Sequence, residues 1–367
     1  MMKSTLADRL LSLDAFRGYT VAAMIMVNFP GSEEHVFFTL RHTKWNGLSF
    51  TDLVAPFFLF IVGVSIAFAY SRKKEAQVPK GPLYKKIVIR ALKIFAVGMF
   101  LNAMPDFNWS ELRYTGTLHR IAVVFLVSAI IFLNTNWKQQ ATIAAIILVG
   151  YWITLLGVQT PGEGAVVLLP GRNIAAWIDV KFLPGKMWRG NWDPEGILST
   201  FPSIATCITG MLVGRLMQLP ISASLKLNYL FTAGIAGAAA GYLVGLSFPV
   251  NENLWTSSFV LVTSGFACLV FGAFYFIADE LGYRKWCIPG VVFGANAITV
   301  YVLGDLFALF FYSFHISGQT LNEHAVNTMV RAGMLPELAS WLYALAYVVI
   351  LFIPAVIMYR KKIFIKL

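Results

Sequence analysis

The sequence predicts an all-α protein: a polytopic integral membrane helical bundle with about ten transmembrane helices and both termini in the cytoplasm. Three observations support this prediction: the composition, the recurrence of apolar runs, and the distribution of Lys and Arg. The chain is 58% hydrophobic and 13% charged, with a mean hydropathy of +0.69, whereas a soluble domain carries about 25% charged residues. A chain with so few charged residues cannot cover its own surface in water.

The apolar runs are long enough for membrane-spanning helices, which need about 20 residues each. They lie at 12–30, 52–71, 87–104, 119–133, 141–157, 196–217, 228–247, 256–277, 289–312 and 339–358. Because the runs follow one another with no soluble block between them, we expect a single transmembrane domain over residues 1–367. Length alone would have suggested two domains.

The orientation is predicted from Lys and Arg, which are enriched in cytoplasmic loops. Of 29 such residues, 19 lie in the segments predicted to be inside, which are 1–11, 71–93, 134–140, 215–228, 278–288 and 359–367. Eight lie in the segments predicted to be outside, which are 31–51, 104–118, 158–195, 249–255 and 313–338. The net charge of +11 therefore reflects orientation and contact with anionic membrane lipid, and we expect no nucleic-acid partner.

The cysteines predict neither a disulfide framework nor a metal site. Cys207 and Cys268 lie in apolar runs, Cys287 lies in a short basic loop, and no two have metal-ligand spacing. Asp14 and Arg17 interrupt the first apolar run and no cleavage site follows, so we expect a transmembrane helix there rather than a signal peptide.

The first predicted outer loop contains side chains suited to acid–base chemistry. It includes His35, His42, Trp45, Asn46 and Asp52 within HVFFTLRHTKWNGLSFTDL. A tight Trp-Asn-Gly turn follows His42 and would hold its imidazole at the membrane surface, where it can transfer a proton or carry an acyl group. The alternative is an interfacial histidine that only hydrogen-bonds a carbonyl group. Asp52 either caps the second helix or takes part in the site.

Polar residues in the first apolar run share one broad helical face. At 100° per residue, Arg17 and Asn28 are about 20° apart around the helix and about 16 Å apart along it, and Asp14 lies near Arg17. Polar groups within a span usually line a watery path, so this helix is a candidate path from the cytoplasm to the outer leaflet. The alternative is an Asp14–Arg17 ion pair and an asparagine that contacts a neighbouring helix.

Three other polar residues lie in or beside apolar runs. His119 and Arg120 open the run at 119–133 on the predicted outer side, where snorkelling is the simple explanation for Arg120. Asp305 lies inside the run at 289–312, and an intramembrane acid is a site candidate by default.

Two polar segments are predicted to lie on the outer face. WDPEG carries Asp193 and Glu195 and opens the run at 196–217, where helix capping is an alternative explanation. PVNENLW carries Asn251 and Asn253 in a short hairpin without basic residues. With the first outer loop, these segments suit a reaction or transport event that couples the two faces of the membrane.

Several longer strings occur in a specific order: RLLSLDAFRG, VNFPG, HTKWNGLSFTDLVAPFFLFIVG, GTLHRIAVVF, WDPEGILSTFPSI, PVNENLWTSSFVLVTSGFA and YRKKIF. In this order the sequence resembles the heparan-α-glucosaminide N-acetyltransferase family, and the resemblance covers nearly the whole chain. The lysosomal enzyme of that family has an additional N-terminal luminal region and leading helix. We therefore expect a bacterial form in the inner (cytoplasmic) membrane.

The resemblance implies an acyltransferase that uses acetyl-CoA from the cytoplasm as co-substrate and acetylates a glucosamine-like amino sugar on the periplasmic side, without a metal. The family's active histidine corresponds to His42, and the asparagine of its VN-G string corresponds to Asn28. His42 would act as base or acetyl carrier, and Asn28 would stabilise the oxyanion. We assign acetyl-CoA binding to Asp14, Arg17 and Arg120.

The acceptor is assigned to the predicted outer face, at Trp45, Asn46, Asp52, Asp193, Glu195, Asn251 and Asn253. Two alternatives stay open: acylation of an envelope polymer, and transport of a sugar or glycan without acetyl transfer. The repeated halves common in transporters are not detected in the sequence. Small residues at 233–245 would permit either packing within the chain, which we favour, or a homodimer.

Overall fold

The structure, a computed structural model, describes residues 10–104, 107–108, 111–316 and 318–365. Most of the predicted inner segment 1–11 therefore lies outside the described residues. The helices are α1 (Leu11–Asn28), α2 (Val54–Glu75), α3 (Lys80–Ala103), α4 (Thr117–Asn134), α5 (Trp137–Gly157), α6 (Ile174–Phe182), α7 (Ile197–Gln218), α8 (Ala223–Gly245), α9 (Ser257–Tyr275), α10 (Cys287–Ala295), α11 (Ala297–Phe311), α12 (Leu321–Arg331) and α13 (Pro336–Arg360). β1 (His315–Ile316) and β2 (Gln319–Thr320) form a short antiparallel hairpin.

The helices within the described ranges are those of a membrane protein. Seven are long and apolar enough to cross a membrane, namely α2, α4, α5, α7, α8, α9 and α13. The pair α10 and α11 would be an eighth span, although it is bent by 80°. The predicted runs at 12–30 and 87–104 coincide with α1 and α3, which are not among these seven. Ten spans therefore remain a prediction, whereas the all-helical membrane class is confirmed.

The run at 289–312 is not one continuous helix, because the backbone breaks at Asn296. This residue has φ −131° and ψ 42°. Its side chain contacts the C-terminal segment: Nδ2 donates to the Ile363 carbonyl at 2.9 Å, and Oδ1 accepts from the Ile365 amide at 2.9 Å. Partners so distant in sequence leave no sign in local hydropathy.

The chain forms two compact units. Unit 1 comprises Met1–His42, Ser49–Phe58 and Val270–Leu367, and unit 2 comprises Thr43–Leu48 and Leu59–Leu269. Each contains part of the predicted site.

Unit 1 is organised around the contact between α1 and α10. A Cβ atom at Gly18 would collide with the carbonyl oxygen of Gly290 and with the backbone at Gly294, so the two helices touch backbone to backbone. The start of α1 is capped from outside the helix, because Asp279 Oδ2 accepts the Ser12 amide at 3.1 Å. This contact fixes the helix that carries Asp14, Arg17 and Asn28.

Unit 2 uses glycine in the same way. A Cβ atom at Gly210 on α7 would collide with the Phe60 carbonyl on α2. On α8, a Cβ atom at Gly234 would lie 2.7 Å from Leu269, and one at Gly241 would lie 2.5 Å from Val262. The small residues at 233–245 therefore pack against α9 of the same chain, as the favoured alternative predicted.

Candidate active site

A histidine and a buried aspartate form a pair in unit 1. His42 Nδ1 lies 2.9 Å from Asp52 Oδ1. The Asp52 side chain is fully buried, whereas the His42 side chain is 55% exposed. A carboxylate that accepts the Nδ1 proton fixes the tautomer in which Nε2 is the basic nitrogen, and it stabilises the imidazolium formed on protonation. The contact with Asp52 therefore restricts the orientation of the ring.

The second oxygen of Asp52 holds the start of the helix. Asp52 Oδ2 accepts the Ser49 amide at 2.8 Å, and the Asp52 amide donates to Ser49 Oγ at 3.4 Å. This reciprocal pattern is that of a capping box, and it precedes the 3₁₀ turn Thr51–Leu53 that leads into α2. One oxygen of Asp52 therefore contacts the start of the helix and the other contacts His42, whereas a part for Asp52 in the reaction stays a prediction.

Asn28 lies exposed on the last turn of α1. The next residue, Phe29, is buried, and its ring packs 5.1 Å from that of Tyr347 and 6.1 Å from that of Tyr312. The helix end is thus anchored by a large side chain while the adjacent amide stays accessible.

At the other end of α1, Asp14 and Arg17 form the ion pair that was one of the two alternatives. Arg17 Nη2 lies 2.6 Å from Asp14 Oδ1, and Arg17 Nε donates to the Gly294 carbonyl at 2.9 Å. Both side chains are partly exposed, at 25% for Arg17 and 17% for Asp14. A role in acetyl-CoA binding stays a prediction.

Unit 2 brings together three of the residues predicted to bind the acceptor. Asn251 Nδ2 donates to Asn46 Oδ1 at 3.0 Å. Trp45 donates its indole N–H to the Leu168 carbonyl at 2.7 Å, and its ring meets that of Trp192 edge-on at 5.2 Å. The Trp-Asn-Gly turn therefore contacts both the PVNENLW hairpin and the residue that opens WDPEG.

The two acids of WDPEG share an arginine that the sequence did not single out. Arg113 binds Asp193 through Nε at 2.8 Å and Nη2 at 2.6 Å, and Nη2 also lies 2.6 Å from Glu195 Oε2. Burial disfavours the charged form of Asp193, but the hydrogen bonds and charge of Arg113 outweigh it and hold the Asp193 pKa at about 2. The acidic partners of Arg113 lie 80 and 82 residues away along the chain, so the sequence around Arg113 shows only a basic residue in a predicted outer loop.

An acid that the sequence analysis does not identify, Asp179 on α6, caps the helix that WDPEG opens. Asp179 Oδ1 accepts the amide of Ile197, the first residue of α7, at 2.8 Å. Its carboxylate occupies the space that a Cβ atom at Gly196 would need. Burial raises the pKa of Asp179 to about 7. The cap on α7 thus comes from α6, which leaves Asp193 and Glu195 to pair with Arg113.

Arg120 is buried rather than snorkelling. Its Nη2 donates to the Pro194 carbonyl and to Ser199 Oγ, each at 2.5 Å, and its guanidinium lies 4.8 Å from the Trp255 ring centroid. These contacts hold the WDPEG turn against the start of α4. Its assignment to acetyl-CoA binding stays a prediction.

Two further residues identified from the sequence are His119 and Asn253. His119 is buried beside Phe95 at a ring distance of 4.6 Å, and within the described part of the chain neither of its ring nitrogens has a hydrogen-bond partner. Asn253 is partly exposed in the hairpin that carries Asn251.

Comparison with known proteins identifies the family. The family model described as heparan-alpha-glucosaminide N-acetyltransferase, catalytic, matches residues 9–240. The chain belongs to this family. It is 28% identical to heparan-alpha-glucosaminide N-acetyltransferase of Homo sapiens, over 99% of this chain and 61% of the relative. It is 26% identical to the Mus musculus protein of the same name, over 98% of this chain and 61% of the relative.

The chain therefore spans about three-fifths of the length of these N-acetyltransferases. The part that matches the catalytic family model includes His42, Asp52, Asp193 and Glu195, whereas Asn251 lies beyond it. The family resemblance seen in the sequence motifs is confirmed, and so is the class of multi-pass membrane protein. The roles of individual residues remain proposals.

Proposed function

We propose that this chain is a transmembrane N-acetyltransferase. It transfers acetyl from cytoplasmic acetyl-CoA to the amine of a glucosamine-like amino sugar on the periplasmic side of a bacterial inner membrane. The observation that carries the proposal is the His42–Asp52 pair, with Nδ1 and Oδ1 2.9 Å apart, in a chain of the N-acetyltransferase family. The names of the relatives supply the acceptor class, a glucosaminide.

The reaction needs a base, because an amine is an ammonium ion at neutral pH and cannot attack a thioester until it loses a proton. His42, oriented by Asp52, accepts that proton. The nitrogen–carbon bond forms, the carbon–sulfur bond breaks, and CoA leaves as the thiol after taking up a proton. A variant of this path transfers the acetyl group first to His42 and then to the amine.

The thioester carbonyl becomes an oxyanion as the amine adds. We propose that the exposed amide of Asn28 donates a hydrogen bond to this oxygen. In other acyl-transfer enzymes, loss of one such donor lowers kcat by about 10²- to 10³-fold. Asn28 and His42 then have separate tasks, one on the carbonyl oxygen and the other on the proton.

We assign the two substrates to different groups of residues. Asp14 and Arg17 at the start of α1 bind acetyl-CoA, with Arg17 toward its phosphates. Arg120 is assigned to acetyl-CoA binding as well. Its guanidinium is held in place by Pro194, Ser199 and Trp255. The acceptor is bound by Asp52 and by the outer-face residues Trp45, Asn46, Asp193, Glu195, Asn251 and Asn253.

The same proposal includes ten membrane spans within one functional domain. α1 and α3 join the seven apolar helices, and α10 with α11 counts as one broken span. Both termini are then cytoplasmic, as the distribution of Lys and Arg predicts.

The decisive experiment is acetyl transfer by the purified protein in proteoliposomes, with acetyl-CoA labelled in the acetyl group and glucosamine as acceptor. We expect labelled N-acetylglucosamine in the product analysed by mass spectrometry, and none with glucose, which lacks the amine. The variant His42→Ala, shown to be folded by size-exclusion chromatography, should lose the activity. Acetylation of no amino sugar, or uptake of labelled sugar without acetyl-CoA, would argue against an acetyltransferase.

A further inference from the structure

The bend at residues 30–32, which follows the last turn of α1, is held by two other helices of unit 1. Asn322 on α12 donates Nδ2 to the Gly31 carbonyl at 3.1 Å. The Gly31 amide donates to the Ser340 carbonyl on α13 at 3.3 Å. Because a carbonyl can only accept, the amide nitrogen of Asn322 must be the atom that faces it. Both backbone polar groups of Gly31 are therefore occupied from outside the bend.

The residues on either side of Gly31 are held as well. Tyr312, directly after α11, donates its hydroxyl to the Pro30 carbonyl at 2.7 Å. The Ser32 amide donates to Ser340 Oγ at 3.0 Å. The backbone groups of three consecutive residues thus hydrogen-bond to partners on or directly beside α11, α12 and α13. A loop on the surface would leave such groups to water.

There is also no space for a side chain at Gly31. A Cβ atom at Gly31 would lie 2.6 Å from Val326 Cγ2, 2.8 Å from Tyr343 Cβ and 3.0 Å from Ser340 Cα. Asn322 is only 8% exposed, and its Oδ1 is buried without a partner among the described residues. An unsatisfied buried polar atom is destabilising, so an apolar residue would suit this position better if the hydrogen bond to Gly31 had no structural role.

We propose that Asn322 and Ser340 are positioning residues for Asn28. By fixing the 30–32 bend they fix the last turn of α1, and with it the amide that donates to the oxyanion. This inference rests on the proposed function. An oxyanion donor acts only within about 2.7–3.1 Å of the developing charge, and a displacement of about 1 Å can lower the rate about 100-fold. The three helices therefore hold the donor to a tolerance that α1 alone cannot provide.

A double-mutant cycle tests this coupling. We expect Asn322→Ala to lower kcat about 10- to 100-fold and to leave the KM for acetyl-CoA unchanged within about twofold. In the Asn28→Ala background the same substitution should change kcat by less than about twofold, because the donor it positions is already absent. Asn327→Ala, which removes the same side chain from a partly exposed position on the same helix, should keep wild-type kcat.

If Asn322→Ala fails to elute as a folded protein, Ser340→Ala takes its place in the cycle, since it removes only the hydroxyl contacts to Ser32. Equal losses of kcat with and without the Asn28 amide, or full kcat in both single variants, would overturn the positioning role. A wild-type protein that acetylates no amine would instead refute the proposed function and the inference with it. An active wild type with additive losses would refute the positioning role alone.

Discussion

The two carboxylate oxygens of Asp52 contact different partners. One orients the His42 ring at 2.9 Å, and the other accepts the Ser49 amide at 2.8 Å. A helix cap is rigid, so an imidazole tied to it has little freedom to turn away from a substrate. The proposed base is thus positioned by the same residues that begin the second helix.

We predict that Asp52→Asn lowers kcat by about 10²- to 10⁴-fold, because an amide that donates to Nδ1 selects the other histidine tautomer. The measurement is steady-state acetyl transfer on protein of confirmed monodispersity. Glu34→Gln, which neutralises an exposed acid of the same outer loop, serves as the control and should keep wild-type activity. More than half the activity in Asp52→Asn would remove Asp52 from the proposed mechanism.

The raised pKa of Asp179 predicts that the stability of the folded protein depends on pH. Burial raises its pKa from 3.8 to about 7 in the folded protein, so the folded state binds the proton more tightly than the unfolded chain. Its contribution is therefore fully present at low pH, decreases as the pH rises through the range between these two values, and is lost above the higher one. Asp193 contributes in the opposite sense, but only as the pH falls below its ordinary value toward about 2.

We accordingly expect the Tm difference between wild type and Asp179→Asn to change between pH 5 and pH 8. The asparagine can still accept the Ile197 amide but cannot ionise, so it should gain stability relative to wild type at the higher pH. Thermal unfolding of both proteins in the same detergent measures this. A difference independent of pH would mean that Asp179 does not titrate in this range.

Among the structural elements, the crossing of α1 and α10 depends on the absence of a side chain. We predict that Gly18→Ala destabilises the protein by about 1–3 kcal/mol, as overpacking does elsewhere, because the added methyl group meets the Gly290 carbonyl. Gly150→Ala on α5 is the matched control, since nothing lies within 4 Å of its Cβ position, and it should be neutral or stabilising. Equal Tm values for the two variants would contradict the backbone contact.

Local composition was sufficient to predict the helices but not how they meet. Hydropathy places α2, α7 and α13 well, because a span is defined by its own residues. The break at Asn296 depends on partners 67 and 69 residues away, which no window of the sequence contains. The same holds for the site: His42 and Asp52 could be predicted from one loop, whereas Arg113 could not, because Asp193 is 80 residues away.

For the whole molecule, the predicted orientation can be tested with introduced cysteines, because the native ones are all buried. Lys44→Cys in the predicted outer segment 31–51 should react with a membrane-impermeant maleimide in intact cells. Lys138→Cys in the predicted inner segment 134–140 should react only after permeabilisation. Labelling of both positions under the same condition would contradict an arrangement in which three spans, α2, α3 and α4, separate them.

The contact between α1 and α10 also has a consequence for biosynthesis. Arg17 and its carbonyl partner on Gly294 are 277 residues apart in the chain, and ribosomes add about 5–20 residues per second. The first helix, with its ion pair, therefore waits on the order of 15–55 seconds in the translocation machinery or lipid before the surface it packs against has been made. During that interval the helix that carries Asn28 depends on the cell's insertion factors, and a slower ribosome would prolong its exposure to degradation.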